Sequence, residues 1–381
     1  MHLDQAADMT QQKFPQLFQL LSTQSMMDWE NSSPETLAGV FRDSRTSAAT
    51  LPVEFGGLGA KASELTQMIH WVAGRAPSLG LMMVMHHHSL AGLDSFSAYI
   101  PEVRQLTSYL ASNNMLLASA FAEGYAHQDI LKLGISLEKS AGGFVFNGQK
   151  KPCTMANVMD AMLLGLNYTN EQGETHIGAA IIPRQTEGVS SCRDFWQADI
   201  LRNSDTQAVT LNQVFVPDEY MLLSDVMNAQ VDDPTKAAMQ GKGAAENAVS
   251  CWFQVLASAM YLGVAAQMMD KALFEKNGHM IEKSDMLIDY QSTMTALMAT
   301  AEKLDEGIFN DALRAQCLSV RFSTQKAIER ISDRAFEILG GIQFIQNKTL
   351  GYLLPACRLL GFHPPSRSAA TEEMLAYYGR L

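Results

Sequence analysis

The spacing of the hydrophobic residues changes twice along this chain, and these changes limit the folds that it can adopt. In residues 63–76, apolar side chains recur at helical intervals. From 113 to about 222, the apolar runs are short, alternate with polar residues and end at proline or turn residues. From about residue 246 the helical spacing returns. This order of helices, strands and helices predicts an α+β fold.

The middle segment has the pattern of antiparallel strands. In residues 142–151, Phe144 and Phe146 belong to an alternating run that includes Asn147-Gly148, a pair typical of turns. No long helical pattern separates the strand-like runs, which argues against a parallel α/β unit. We therefore predict antiparallel β structure from 113 to about 222.

The length of the chain favours more than one domain, because 381 residues exceed what a single core usually supports. We predict an N-terminal α-helical domain at 1–112, a middle β domain at 113–223 and a C-terminal helical bundle at 224–381. The polar stretch that follows the last strand reads as a linker or a surface excursion.

Charge and cysteine content disfavour several classes of function. The formal net charge of −12 disfavours nucleic acid as a partner. The chain has no uninterrupted apolar run of about 18 residues, so no membrane span is expected, and its first residues do not resemble a secretory signal. The five cysteines form no CxxC pair, so we expect neither a disulfide framework nor a metal site, and a cytoplasmic location.

Five short sequence segments occur in a fixed order between residues 51 and 341. They are LPVEFGGLG at 51–59, FAEGYAHQD at 121–129, NGQKKPCT at 147–154, VFVP at 214–217 and FEILGG at 336–341. In this order they resemble the motifs of the acyl-CoA dehydrogenase superfamily, which read P-E-x-G-G-x-G, T-E-P-G-x-G-S-D, N-G-x-K-x-W-I-T, V-x-V-P and A-Q-I-L-G-G. The resemblance implies a helical N-terminal domain, a middle antiparallel β-barrel domain and a C-terminal four-helix bundle.

The resemblance also implies FAD as cofactor. Phe121, Ala122 and Gln128 would contact the isoalloxazine ring from one loop, and Cys153 and Thr154 from a neighbouring strand. The Thr154 hydroxyl would then donate near flavin N5, since backbone N–H groups and hydroxyls supply the donors that the ring needs. Thr154 could instead be an ordinary strand threonine.

The glycine pair Gly340-Gly341 has two interpretations. By resemblance, it would let the FAD of a neighbouring subunit approach the backbone closely, and the chain would form a homodimer or a homotetramer. It also reads as a plain helix terminus, at which the third long C-terminal segment stops.

The catalytic base of the family's dehydrogenases has no clear counterpart in this sequence. That base is a glutamate in a Y-E-G-T segment, and the matching residues 362–373 place Ser366, Arg367 or Ser368 at its position. Other members carry it early in the first long C-terminal helix, where this chain has Phe253, followed by Gln254.

Three side chains are candidate replacements for the missing base. Glu246 lies one to two turns before Phe253, Glu373 follows the degenerate segment, and His363 has an ordinary pKa near neutrality. The triplet at 86–88, HHH, lies in a domain whose last helices wall the substrate pocket in this family. We expect structural or hydrogen-bonding roles for it, because consecutive helical residues point about 100° apart and do not converge on a metal.

Three functions remain open at this stage. The first is α,β-dehydrogenation of an acyl thioester, carried on CoA or on an acyl carrier protein, with the electron acceptor unspecified. The second is a monooxygenase of the same superfamily, which uses reduced flavin and oxygen and needs no α-proton base, with His127 or His363 as a possible base. The third is a non-catalytic binding protein that uses this fold.

Overall fold

The computed structural model places three groups of secondary structure in the predicted order. It describes residues 2–95, 97, 101–123, 134–169, 173–223, 244–275 and 279–379. The site prediction at Gln128, the possible base His127 and the side chain of the candidate base Glu246 lie outside the described residues.

Seven helices form the N-terminal group. Their bounds are α1 His2–Lys13, α2 Pro15–Leu21, α3 Met26–Glu30, α4 Pro34–Asp43, α5 Ala62–Ala73, α6 Pro77–Asp94 and α7 Pro101–Ser112. Helix α4 begins where Ser33 accepts a hydrogen bond from the Thr36 amide, and Pro34 occupies its first turn. Helix α6 is buried on nearly all sides, so it is the central helix of this group.

The middle of the chain forms eight strands in two four-stranded sheets. The strands are β1 Leu117–Ala120, β2 Ser136–Ser140, β3 Gly143–Cys153, β4 Ala161–Thr169, β5 Thr175–Pro183, β6 Val189–Ser191, β7 Gln207–Pro217 and β8 Met221–Leu223. One sheet has the order β1-β4-β5-β8 and the other β2-β3-β7-β6. Within the described strands the two sheets are separate, so the predicted closed barrel is not found there.

The prediction of wholly antiparallel pairing is wrong for one pair of strands. Strand β1 pairs with β4 in parallel, with Leu117 opposite Ala161 and Ala120 opposite Leu164. The remaining pairings are antiparallel. The physical reason is the connection: β2 and β3 lie in the other sheet, so the chain crosses over and returns to β4 in the direction of β1.

Five helices follow the sheets in the described residues from 244 onward. They are α8 Ala244–Phe274, α9 Met280–Asp305, α10 Asp311–Gln346, α11 Lys348–Ala356 and α12 Arg367–Tyr377. The predicted four-helix bundle is not confirmed, because among the described helices only α8, α9 and α10 are long. The predicted stop at Gly340 is a kink: Gly340 has φ 75° and ψ 164°, and the helix resumes and ends at Gln346.

Helix α8 is the core element that joins the N-terminal and C-terminal groups. It packs against α5, α6, α9 and α10. At its crossing with α5, a Cβ on Gly263 would lie 2.1 Å from the backbone oxygen of His70, so only glycine permits this approach. Residues 247–274 of α8 are apolar and long enough to cross a membrane, but 89% of their most apolar window is buried inside the fold, as expected of a core helix.

Candidate active site

The end of strand β3 carries a buried chain of three hydroxyl groups. Ser204 Oγ donates to the Leu201 carbonyl at 2.7 Å, Thr206 Oγ1 lies 2.8 Å from Ser204 Oγ, and Thr154 Oγ1 lies 2.9 Å from Thr206 Oγ1. Each hydroxyl has one hydrogen. Because the Ser204 hydrogen is used on a carbonyl, Thr206 must donate to Ser204, and Thr154 must donate to Thr206. Thr154 is therefore left with lone pairs to accept a further hydrogen bond, which differs from the donor role predicted for its hydroxyl, because its one hydrogen is used on Thr206.

A buried ion pair joins strand β3 to the segment that follows β1. Lys150 Nζ lies 2.7 Å from Glu123 Oε1, and their side chains are 0% and 6% exposed. The other oxygen of Glu123 accepts a hydrogen bond from the Gly134 amide at 2.6 Å. Burial lowers the pKa of Lys150 to about 8, against the opposing effect of Glu123. This pair was not predicted from the sequence, although Lys150 stands at the lysine of the N-G-x-K motif.

The structure brings four of the predicted flavin residues to the same region. The Lys151 amide donates to the Ala122 carbonyl at 2.8 Å, which aligns Phe121 and Ala122 with the end of β3. Phe121 packs over Gly165 of β4, where a Cβ would lie 2.3 Å from the phenylalanine ring. Cys153 is fully buried, and burial raises the pKa of its thiol to about 12, so it stays protonated.

The glycine pair at the kink of α10 lies apart from this group. A Cβ at Gly340 or Gly341 would meet no atom within 4 Å. No described contact joins either glycine to the residues around β3, and the prediction that they approach the cofactor of a second subunit stays a prediction.

A second polar group lies where α8 meets the segment after α11. Tyr261 Oη is 2.7 Å from Nε2 of His363. The Arg321 guanidinium, 1% exposed, donates to the carbonyls of Leu360 at 2.8 Å, His363 at 2.7 Å and Pro365 at 3.3 Å. Packing around the half-buried His363 ring, together with the Arg321 charge, lowers the pKa of that histidine.

Phe253 lies between two histidines. Its ring centroid is 5.2 Å from that of His88 on α6 and 5.7 Å from that of His363. Burial lowers the pKa of His88 to about 3. No described carboxylate is among the charged groups that shift the pKa of either histidine. The predicted base His363 and the residue at the base position, Phe253, therefore meet in space, although 110 positions separate them (363 minus 253).

The other described candidate base lies elsewhere. Glu373 forms an ion pair with Arg314, whose NH2 group is 3.0 Å from Glu373 Oε2. Arg314 also donates to Asn247. This network fastens α12 to α10 and α8, and no described contact connects Glu373 to Phe253 or His363.

The histidine triplet on α6 has divided roles. His86 accepts a hydrogen bond from the Leu117 amide at 2.9 Å on Nδ1, and its Nε2 lies 2.6 Å from the Ser47 carbonyl. Thus His86 ties α6 to β1, as expected of a hydrogen-bonding histidine. His87 and His88 have no hydrogen-bond partner at either ring nitrogen, and only His88 faces Phe253.

Comparison with known proteins gives relatives across the whole chain. This chain is 29% identical over 380 residues to isobutylamine N-hydroxylase of Streptomyces viridifaciens, and the alignment covers 99% of this chain and 97% of that protein. It is 23% identical over 323 residues to the mitochondrial isovaleryl-CoA dehydrogenase of Solanum tuberosum, covering 81% and 74%. No protein-family model matches. Its sequence relatives are members of the acyl-CoA dehydrogenase superfamily, and the resemblance of this chain fits a divergent member.

Solved structures share the fold of this chain. FMN-bound TdsC from Paenibacillus sp. A11-2 superposes with a TM-score of 0.77 at 17% identity, over 100% of this chain and 98% of that chain. The FAD complex of PigA superposes with a TM-score of 0.76 at 16% identity, over 100% and 97%. These likenesses establish the fold, and the relatives include both dehydrogenases and oxygenating enzymes.

A flavin fits the residues that this superfamily member presents around β3. The hydroxyl chain ends at Thr154 with an unused acceptor, which suits an N–H group on the ring edge. The ion pair between Lys150 and Glu123, together with the bond from the Gly134 amide to Glu123, holds Glu123 and Gly134 beside β3. FAD, the predicted cofactor, is therefore compatible with the described donors and acceptors.

Proposed function

We propose that this chain is an FAD-dependent monooxygenase that hydroxylates the nitrogen of a small aliphatic primary amine. One observation carries the proposal: the residue at the dehydrogenase base position is Phe253, whose ring lies between His88 and His363. Phenylalanine cannot remove the α-proton of a thioester, whereas an oxygenation that starts from an amine lone pair needs no such base. The identity of the electron donor that reduces the flavin is left open.

The amine as substrate is supported by the relative with that activity in its name. Isobutylamine N-hydroxylase aligns with 99% of this chain, so the similarity includes the β domain and both helical groups. The isovaleryl-CoA dehydrogenase aligns with a smaller share, at lower identity.

In the proposed reaction, R–NH2, O2 and reduced FAD give R–NHOH, H2O and oxidised FAD. The nitrogen forms the N–O bond and loses one proton, the O–O bond breaks, and the second oxygen leaves as water. Reduced FAD, when bound, would supply the activation of oxygen together with the two electrons and two protons that complete the hydroxyl group and the water. The chain's own residues would hold the flavin ring beside Thr154. The phenyl ring of Phe253 would exclude water, and the imidazoles of His88 and His363 would be neutral.

We also propose a reducing compartment and a homo-oligomer for this enzyme. All five cysteines are free thiols, and four of them are buried. The open space around Gly340 and Gly341 would accommodate a second copy of the chain.

The test is oxygenation under a supply of reduced FAD. The purified protein is mixed with isobutylamine, NADH, a flavin reductase and ¹⁸O2, and the products are separated by mass spectrometry. We expect N-hydroxyisobutylamine with one ¹⁸O atom, and none when the chain is omitted. Hydrogen peroxide without labelled hydroxylamine, across a panel of short primary amines, would contradict the proposal.

The second candidate is dehydrogenation of an acyl thioester on CoA or on an acyl carrier protein. The order of the five motif segments and the alignment with the isovaleryl-CoA dehydrogenase favour it. Its test is anaerobic: bleaching of the flavin absorbance by isovaleryl-CoA, or by the same acyl group on a carrier protein, would favour dehydrogenation. The amine should leave the oxidised flavin unbleached, so the two candidates give opposite results.

A further inference from the structure

We propose that His88 and Gln254 form an uncharged acceptor subsite that holds the amino group of the substrate as the free base. This inference rests on the proposed amine substrate and deepens it, because it assigns residues and a charge state to substrate recognition.

His88 is a buried polar side chain without a partner. It is 4% exposed, and neither ring nitrogen makes a hydrogen bond. The backbone of Val249 acts on the ring and raises the pKa of His88, and it can engage only one of the two ring nitrogens, so at least one is left to accept. A buried polar group without a hydrogen bond is unfavourable, so it can mark a place where a ligand supplies the missing bond.

Gln254 is the second such group: its amide reaches Pro364, the neighbour of His363, and the His363 ring contacts the same Phe253 ring that His88 contacts. It is 2% exposed, its Nε2 lies 3.4 Å from the Pro364 carbonyl, and its Oε1 has no partner. The Pro364 carbonyl can only accept, which fixes the orientation of the amide. Oε1 is therefore available as an acceptor.

Among the described residues, the surrounding charges disfavour an ammonium group. The charged group near His363 is Arg321, which is positive and buried, and no described carboxylate shifts the pKa of His88 or His363. A buried ammonium without a counter-ion is strongly disfavoured, so the amine would bind in its neutral form.

A neutral primary amine matches the two acceptors. Its two N–H groups can donate to an imidazole nitrogen of His88 and to Gln254 Oε1, and its lone pair stays free. That lone pair must form the N–O bond when O2 and reduced FAD deliver the oxygen atom. An ammonium has no lone pair, so the same subsite that binds the amine also selects its reactive form.

The test measures binding separately from turnover. Flavin-loaded protein is titrated with isobutylamine by calorimetry, for the wild type and for Gln254→Leu, His88→Phe and His88→Gln. We expect Gln254→Leu and His88→Phe each to weaken binding about 10-fold, and His88→Gln, which keeps an acceptor, to weaken it less. The matched control is His87→Phe: His87 is also buried and unpaired but packs on Phe41, so binding should be unchanged.

A second set of probes tests the charge state with the wild-type protein. N,N-dimethylisobutylamine has no N–H group in its neutral form, and isobutyltrimethylammonium carries a permanent charge. Both should bind at least about 10-fold more weakly than isobutylamine. Tighter binding of the permanent cation, or unchanged binding by Gln254→Leu and His88→Phe with retained flavin and fold, would overturn the subsite.

The two proposals fail in different ways. If labelled hydroxylamine forms but these variants bind isobutylamine like the wild type, the monooxygenase stands and the subsite falls. If isobutylamine binds with the expected dependence on both residues but no hydroxylamine forms, the subsite stands and the reaction falls.

Discussion

Tyr261 and His363 join the middle of α8 to the chain segment after α11, with the phenol oxygen 2.7 Å from Nε2. Burial raises the pKa of Tyr261 far above its usual range, and packing with the Arg321 charge lowers that of His363. Both groups are therefore neutral near pH 7. The region that carries a glutamate in the related dehydrogenases thus presents neutral hydrogen-bonding groups here.

Arg321 is expected to be a main determinant of the position of His363. Substituting Arg321→Lys keeps the charge, but one ammonium cannot reproduce the planar arrangement that reaches the carbonyls of Leu360, His363 and Pro365. We expect the free energy of unfolding to fall by about 2–3 kcal/mol in urea denaturation. Arg330→Lys, in an exposed pair with Asp289, should change it by less than about 1 kcal/mol. Equal losses in both variants would contradict this role.

The ion pair of Lys150 and Glu123 can be tested with a double-mutant cycle that measures stability. Lys150→Met leaves the Glu123 carboxylate buried without a counter-ion, so we expect a loss of about 3–5 kcal/mol in stability. The double substitution Lys150→Met with Glu123→Leu should recover most of that loss, because no charge stays buried. Denaturation of the four proteins measures the coupling, and strictly additive effects would argue against the pair.

From the chain of hydroxyl groups that ends at Thr154, we predict that the site binds one redox state of the flavin more tightly than the other. Thr154 is left as an acceptor, and reduced flavin carries a hydrogen on N5 that the oxidised form lacks. We expect Thr154→Val to weaken anaerobic binding of reduced FAD about 10-fold and to affect oxidised FAD less. Thr210→Val, which removes a strand hydroxyl bonded to Gln149, is the control. Equal weakening of both redox forms by Thr154→Val would disprove the acceptor role.

Because His86 is buried, we predict that the folded state loses stability in acid. Burial lowers its folded-state pKa to about 4, below the ordinary 6.5 of the unfolded chain. The unfolded state therefore binds the proton first as the pH falls, so stability is complete above about pH 6.5 and declines until about pH 4. At pH 5, this histidine alone should lower the free energy of unfolding by about 2 kcal/mol.

Denaturation at pH 7 and pH 5 checks this expectation. His86→Gln should reduce the difference in unfolding free energy between the two pH values by about 2 kcal/mol, whatever its effect at pH 7. His279→Gln, at a half-exposed position, should leave the difference unchanged. An unaltered difference in His86→Gln would show that His86 does not contribute to acid lability.

Much of the fold was predictable because it follows from local patterns. Helical spacing in 63–76 and the alternation around Phe144 and Phe146 depend on residues that are neighbours in the chain, and α5 and β3 form there. The parallel pairing of β1 with β4 was not predictable, since it depends on a crossover through the other sheet. The sequence predicts a helix end at Gly340, where the structure has a kink, because a glycine with positive φ can occur both at a helix end and at a kink.

The sequence by itself determined the order of the three groups of elements, the superfamily motifs and the lack of a glutamate at the usual base positions. The tertiary structure alone decided which polar groups meet. His88, Phe253 and His363 come from three elements, and Lys150 reaches Glu123 across a loop. Spacing along the chain reports only contacts within one helix or strand, whereas these contacts arise from packing between elements, which also decides which buried atoms keep no partner.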